Sequence, residues 1–105
     1  MDDLDGRPRR IECNLTFRGG GGSANLVGRV KDLSRNGLFL ATAQFVAVGK
    51  QVHLEFELST GTRVEAVGEV RWIARGEQVK EQGLGIRFRR LSEAAARAIA
   101  EEVEG

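Results

Sequence analysis

The chain has 105 residues, of which 41% are apolar and 30% are charged, and its formal net charge is +1. This length provides for one domain with one hydrophobic core, and the composition is that of an ordinary globular protein. A charge so close to zero argues against broad nonspecific attraction to nucleic acid or to an anionic membrane. The cations are nevertheless biased, because thirteen are Arg and three are Lys. The planar guanidinium group suits bidentate recognition of phosphate, carboxylate or a guanine edge.

Cysteine usage and hydropathy suggest a compartment. Cys13 is the single cysteine, which excludes an internal disulfide and disfavours a cysteine-based metal site. The sequence has no apolar run near the ~20 residues that cross a bilayer, and its first residues lack the features of a signal peptide. We therefore expect a protein of the reducing cytoplasm, with no metal, no cofactor and no membrane partner.

The chain divides into a short arm and one domain. Residues 1–9 lack periodicity and are predicted to form a flexible arm, while residues 10–105 form the domain. The arm changes from acidic to basic and leads into the run Arg7-Pro8-Arg9-Arg10. From Ile11 to Arg18 apolar and polar residues alternate, which predicts a half-buried first strand.

Five further strands are predicted from short apolar runs bounded by turn residues. The glycine-rich run 19–23 is predicted to be a solvated connection, since it lacks the Lys and the helix start of a P-loop. In the long fifth strand Gly68 is expected to mark a bulge or a sharp bend. The strands are predicted at residues 26–33, 37–42, 52–58, 64–72 and 84–88.

The last segment predicts a helix over residues 92–104. Ser92 can cap its first amides, and Ala95, Ile99 and Val103 repeat every four residues, so that they share one face. This helix would cover an open edge or end of the sheet. Six short strands favour an antiparallel barrel, because closure removes exposed edges. The predicted fold is mainly β, a six-stranded antiparallel β-barrel with one C-terminal α-helix.

The turn between the second and third strands carries more polar chemistry than a turn needs. Asn36-Gly37 between apolar runs predicts a tight hairpin, because both residues tolerate positive φ. Asp32 and Ser34 add a carboxylate and a hydroxyl at the mouth of this turn. In a chain rich in arginine these groups indicate a small site for a polar, anionic ligand. The competing interpretation is that both side chains only satisfy local amides.

The pattern Asp32-x-Ser34-x-x-Gly37, followed by Leu38-Phe39-Leu40, resembles the second signature of the PilZ domain family. Four other segments resemble the rest of that family's frame. They are the basic arm, the strand with Gly68-Glu69-Val70-Arg71-Trp72, the strand with Gly83-Leu84-Gly85-Ile86-Arg87-Phe88, and the final helix. The resemblance covers nearly the whole chain. It implies a six-stranded barrel that binds cyclic di-GMP, a bacterial second messenger with two phosphates and two guanines.

The resemblance also implies which residues hold this ligand. In the family the Asp and Ser of the turn contact guanine and phosphate, the Gly lets the backbone approach, and arginines of an Arg-x-x-x-Arg motif grip phosphate and guanine. This motif departs from its pattern here, because Arg7 and Arg10 are three residues apart and Gly6 stands four residues before Arg10. The predicted ligand-binding residues are Arg7, Arg9, Arg10, Asp32, Ser34, Arg35 and Gly37, with Arg35 included because it could stack on a ligand base. The competing interpretations are a solvated basic arm for the first three arginines and a solvent-facing side chain for Arg35.

These observations lead to two main hypotheses. The first is a non-enzymatic cyclic di-GMP receptor that relays the signal to an unidentified protein partner. The alternative is a degenerate PilZ-like adaptor that binds no nucleotide and regulates motility or surface behaviour through protein contacts. A binder of single-stranded nucleic acid is disfavoured by the near-neutral charge and by the lack of interleaved surface aromatics. An enzyme is disfavoured because the single histidine, His53, lies on a different predicted strand from Ser34 and no catalytic triad can be assembled.

Two further residues carry weaker expectations. Trp72 is predicted to lie in the core or to anchor a sheet face, with a stacking platform for a ligand as the weaker alternative. Cys13 alternates with core residues and is predicted to be buried and inert.

Overall fold

Antiparallel strands close into a barrel in the computed structural model, which describes residues 11–19, 22–76 and 81–104. These residues form strands β1 (Ile11–Gly19), β2 (Gly22–Leu33), β3 (Gly37–Ala41), β4 (Gln51–Glu57), β5 (Arg63–Ala74) and β6 (Gly83–Arg90), and helix α1 (Glu93–Glu104). Around the barrel the strands follow the order β1-β2-β3-β6-β5-β4. The predicted fold class is therefore confirmed. Arg7, Arg9 and Arg10 lie outside the described residues, so the division into an arm and a domain stays a prediction.

Alternation along each strand decides which side chains fill the barrel. In β4, Val52, Leu54 and Phe56 are buried while the residues between them face outward. The same rule fills the interior with apolar side chains, and the described part of the chain has no buried polar or charged residue. Burial of apolar surface contributes about 25 cal/mol per Å², so this core is the main source of stability. The largest fully buried side chains include Leu15, Leu40, Leu54, Leu84 and Ile99.

Helix α1 closes one end of the barrel. Its first turn is capped as predicted, because the Ala95 amide donates to Ser92 Oγ at 3.0 Å. Ala95 and Ile99 join the core, whereas Val103, the third residue of the stripe, is 38% exposed. A hydrogen bond links the C-terminal end of the helix to the β4–β5 turn, where Ser59 Oγ donates to the Glu102 carboxylate at 2.8 Å. Within the described ranges, no helix is long and apolar enough to cross a membrane.

Two predicted local features are tested by the strand registers. The pairing of β5 with β6 shifts between Val67 and Gly68, but the extra residue is Arg89 of β6, so the bulge lies opposite Gly68 and β5 itself keeps its alternation there. The glycine-rich connection is shorter than predicted, because Gly19 pairs with Gly22 and the β1–β2 ladder continues into the run. Backbone pairing needs no side chains, so glycines at a strand end can extend a ladder that their flexibility would otherwise weaken.

The turn after β2 is built on a serine hydroxyl. Ser34 Oγ accepts from the amides of Asn36 and Gly37, each at 3.2 Å. Positive φ is absent from every described non-glycine residue and from Gly37. The prediction of a positive-φ Asn-Gly hairpin is therefore wrong. Because the hydroxyl satisfies the turn amides, the chain reverses without a left-handed residue.

Gly37 is required by the close approach of β6. A Cβ atom at this position would lie 2.1 Å from the Ile86 carbonyl oxygen and 3.1 Å from the Arg87 Cα. The neighbouring Asn36 carbonyl accepts from the Phe88 amide at 2.8 Å, which fixes the turn against β6. The obstacle is backbone, so it cannot rotate away.

Replacing Gly37 by Ala should lower the free energy of unfolding by about 1–3 kcal/mol, because the added methyl group forces β3 away from β6. Urea unfolding followed by far-ultraviolet circular dichroism measures the change. Asn36→Ala is the control; it leaves this contact intact and should cost less than about 0.5 kcal/mol. Equal stability of the Gly37→Ala variant and the wild type would contradict the assignment.

Cys13 offers a chemical test of the core. Its side chain is fully buried, as predicted, and burial, with a smaller contribution from the nearby Glu55 carboxylate, raises the pKa of the thiol from 9.0 to about 12. The unfolded chain loses this proton near pH 9 and the folded chain near pH 12, so this group makes the protein less stable as pH rises through that interval. At pH 8 a disulfide reagent should label the native protein at least about 100-fold more slowly than the urea-unfolded protein. Similar labelling rates in both states would show that the thiol is accessible.

Candidate functional site

A register shift in β2 turns Asp32 outward. Leu26 and Val30 are buried, so unbroken alternation would also place Asp32 inside the barrel. Val30 pairs with Leu40, however, while Asp32 pairs with the adjacent residue Phe39, which makes Lys31 an extra residue in the strand. Such a bulge re-aims the side chains that follow it. Asp32 is consequently exposed on the outer face of the barrel.

A second shift, in β5, does the same for Trp72. Val70 pairs with Ile86 and Trp72 pairs with Gly85, which makes Arg71 the extra residue. Trp72 is 52% exposed. Of its predicted positions, the structure selects the sheet face, on the outer side of the barrel.

The two outward side chains belong to one row across four strands. Asp32 pairs with Phe39, Phe39 pairs with Gly85, and Gly85 pairs with Trp72. At a strand spacing of ~4.8 Å this row spans about 14 Å. The carboxylate and the tryptophan are therefore placed to contact different parts of one extended ligand.

Gly85 allows the aromatic part of this row to form. A Cβ atom on Gly85 would lie 2.1 Å from both Cε2 and Nε1 of Trp72, so the indole lies directly over the glycine. In this position it stacks with Phe39, at 5.3 Å between ring centroids and an interplanar angle of 20°. We call Phe39 and Trp72 together the aromatic shelf.

The shelf forms one wall of a groove of about 520 Å³, a volume within the range of ligand sites. Three predicted residues line it, Asp32, Ser34 and Gly37. Arg71 and Arg87 line it as well; both are exposed, and neither forms an ion pair with any residue that the structure describes. The groove thus combines one carboxylate, two available guanidinium groups and an aromatic surface. We call it the turn groove.

Ser34 supports the turn itself. Its hydroxyl accepts from two amides and donates to the Gly37 carbonyl at 3.2 Å, which uses the hydrogen-bonding capacity of the group. The geometry agrees with the interpretation of Ser34 as turn chemistry, and its contact with a ligand phosphate stays a prediction.

Arg35 differs from the other turn residues. It does not line the turn groove, although Ser34 and Asn36 on either side of it do. Its guanidinium group forms an ion pair with Glu104, near the end of α1.

A second groove of about 520 Å³ lies across β1, β4 and β5, on another face of the barrel. Its lining includes His53, Asn14 and Glu65, but none of the predicted ligand-binding residues. Its lining contains no Phe or Trp side chain. The turn groove is therefore the candidate functional site.

Comparison with known proteins agrees with the fold. No curated protein matches the chain. Among solved structures, the Bacillus subtilis inhibitor of motility (MotI/DgrA) superposes with a TM-score of 0.68 at 12% sequence identity, covering 93% of this chain and 50% of that chain. At such low identity the likeness shows the fold alone, and this chain spans about half the length of that protein.

The family comparison extends over most of the sequence. The model of the PilZ domain matches residues 6–105, a range that includes the barrel, the turn groove and α1. This chain belongs to the PilZ domain family.

Proposed function

We propose that this protein is a non-enzymatic receptor that binds cyclic di-GMP in the turn groove and relays the signal to a protein partner. The observation that carries the proposal is the convergence of Asp32, Arg71, Arg87 and the aromatic shelf in one groove of suitable volume. Each of these groups is suited to contact a different part of the ligand. The family to which the chain belongs is one of receptor and adaptor domains.

Asp32 and the aromatic shelf suit the guanines. A guanine base presents N–H donors on its edge, and an ionised carboxylate is an acceptor that can take two of them. The face of the base can stack on Trp72, whose indole is held flat by Phe39 and Gly85. Base–aromatic stacking contributes about 1–3 kcal/mol per base.

Arg71 and Arg87 suit the phosphates. Arginine forks bind phosphate oxygens through two parallel charge-assisted hydrogen bonds. Arg87 pairs across strands with Gly37, so its guanidinium group starts beside the turn. Both arginines lack an internal ion pair among the described residues, which leaves them available to the ligand.

The described part of β1 begins at Ile11, close to the turn groove. Ile11 pairs with Val30, next to the bulge that precedes Asp32. Four extended residues span up to about 13 Å, which is enough for Arg7, Arg9 and Arg10 to contribute guanidinium groups to the same ligand. We propose that this contribution completes the site despite the altered arginine spacing.

The output of the receptor is inferred from the structural neighbour. That protein is described as an inhibitor of motility, so we propose regulation of motility as the process that this receptor controls. A cytoplasmic location is part of the proposal.

Calorimetric titration with cyclic di-GMP at low salt tests the ligand. We expect a dissociation constant between about 1 and 100 µM for the wild type. Asp32→Ala and Arg10→Ala should each weaken binding by about 10–100-fold, because a hydrogen bond to a charged group contributes about 1.5–3 kcal/mol. Glu65→Ala, in the groove on the other face, is the matched control and should leave affinity unchanged.

The opposite result would favour the adaptor hypothesis, for which the departed arginine spacing is the specific observation. If wild-type protein gives no heat up to high micromolar ligand, it is not a cyclic di-GMP receptor. If a protein partner is then captured with a yield that does not depend on added nucleotide, the protein is an adaptor.

Fluorescence tests the aromatic shelf directly. Trp72 is the single tryptophan of the chain, so any change in tryptophan emission on ligand binding reports this side chain. We expect quenching by a stacked guanine, and Gly85→Ala should weaken binding by about tenfold, since its methyl group displaces the indole from the shelf. The displaced group is a side chain, so this variant should still fold.

Val27→Ala, at an exposed position of β2 that does not line the groove, controls for a surface substitution and should bind like wild type. Unchanged emission at saturating ligand would mean that the shelf lies outside the binding site.

A further inference from the structure

We propose that Glu104 is a positioning residue of the turn groove, because it holds Arg35 outside the groove and so lowers the affinity for an anionic ligand. This inference rests on the proposed function of the groove. It adds a regulatory element that neither the turn motif nor the family frame supplies.

The geometry of the turn is the first observation. Ser34, Asn36 and Gly37 line the groove, whereas Arg35 between them does not. The Arg35 guanidinium group is instead paired with the Glu104 carboxylate, and both side chains remain more than half exposed to solvent, at 61% and 55%. Because the pair is exposed and the arginine side chain is long, Arg35 can turn towards the groove, between Ser34 and Asn36, once the partner is removed.

The charge at the end of α1 is the second observation. The last turn contains no basic residue, and Glu101 and Glu102 lie three and two residues before Glu104. The carboxyl end of a helix carries a partial negative charge, so an additional carboxylate there is unfavourable without a countercharge. Arg35 supplies that countercharge from the turn.

The two observations couple the helix end to the ligand. The guanidinium group of Arg35 pairs either with Glu104 or with a ligand phosphate, so the carboxylate competes with the ligand for the same fork. Such coupling is reciprocal, and ligand that captures Arg35 also removes the countercharge from the helix end. Because an exposed ion pair is weak, we expect an effect of about 2–5-fold in affinity.

A double-mutant cycle tests this coupling by calorimetric titration with cyclic di-GMP. Glu104→Gln should tighten binding by about 2–5-fold, and Arg35→Ala should weaken it. In the Arg35→Ala background, Glu104→Gln should have no further effect, because no guanidinium group remains to be released. Glu104→Asp, which retains the carboxylate, should restore affinity towards the wild-type value.

Glu101→Gln is the matched control. It removes the same charge from the same helix, its side chain is exposed, and it forms no ion pair within the described ranges. If it tightens binding as much as Glu104→Gln does, or if the effect of Glu104→Gln persists in the Arg35→Ala background, the proposal is overturned while the receptor function stands.

Hydrogen exchange of the ligand-free protein supplies a second readout. The amides of residues 100–104 should exchange faster in Arg35→Ala than in wild type, since the helix end loses its countercharge. Unchanged exchange overturns the positioning role, whatever the affinities show. Absence of wild-type binding overturns the receptor function first, and the positioning role for this ligand with it.

Discussion

The register shifts in β2 and β5 determine the chemistry of the outer surface of this barrel. A strand that keeps its alternation around a closed core sends every second side chain inside. One extra residue in each strand reverses the inside–outside alternation. Asp32 and Trp72 therefore face the outer surface, on the same side of the barrel, instead of the core. The core keeps its apolar lining, and the surface gains a carboxylate and an indole. The candidate site therefore depends on two local departures from regular pairing.

Two glycines shape this groove because they have no side chain. Gly85 leaves the space in which Trp72 lies over β6 and stacks with Phe39. Gly37 lets the turn approach the backbone of β6, where Arg87 is its cross-strand neighbour. Both glycines act through closeness of approach rather than through unusual backbone angles, since neither has positive φ. The result is a groove shaped by the close backbone approach at Gly37 and by the stacked rings over Gly85.

Much of the fold could be read from the sequence, and part of the site could not. Alternating residues predict the strands because they repeat with a period of two. Ser92 predicts the start of α1 because a helix cap is a local signal. Arg71 and Arg87 were not predicted as site residues, and the face of Trp72 was left open. The placement of Arg71 and Trp72 depends on where a bulge inserts one residue into β5. Alternation along β6 turns Arg87 outward, but only the tertiary pairing with Gly37 places it beside the turn. Lys31 and Arg71, the inserted residues, carry no mark in the sequence that distinguishes them from their neighbours. The family signature pointed to Asp32, Ser34 and Gly37, which all line the groove, whereas the pairing of Arg35 with α1 is tertiary and had no local signal.

The closed ladder described above constrains how any protein partner can recognise this molecule. Every described strand already has a hydrogen-bonded neighbour on both sides. Residues 22–27 of β2, however, pair with β1 alone among the described residues, so a partner can add a strand of its own only along such a one-sided stretch. The closed part of the barrel must be recognised through side chains and loop tips, where specificity responds to single surface substitutions.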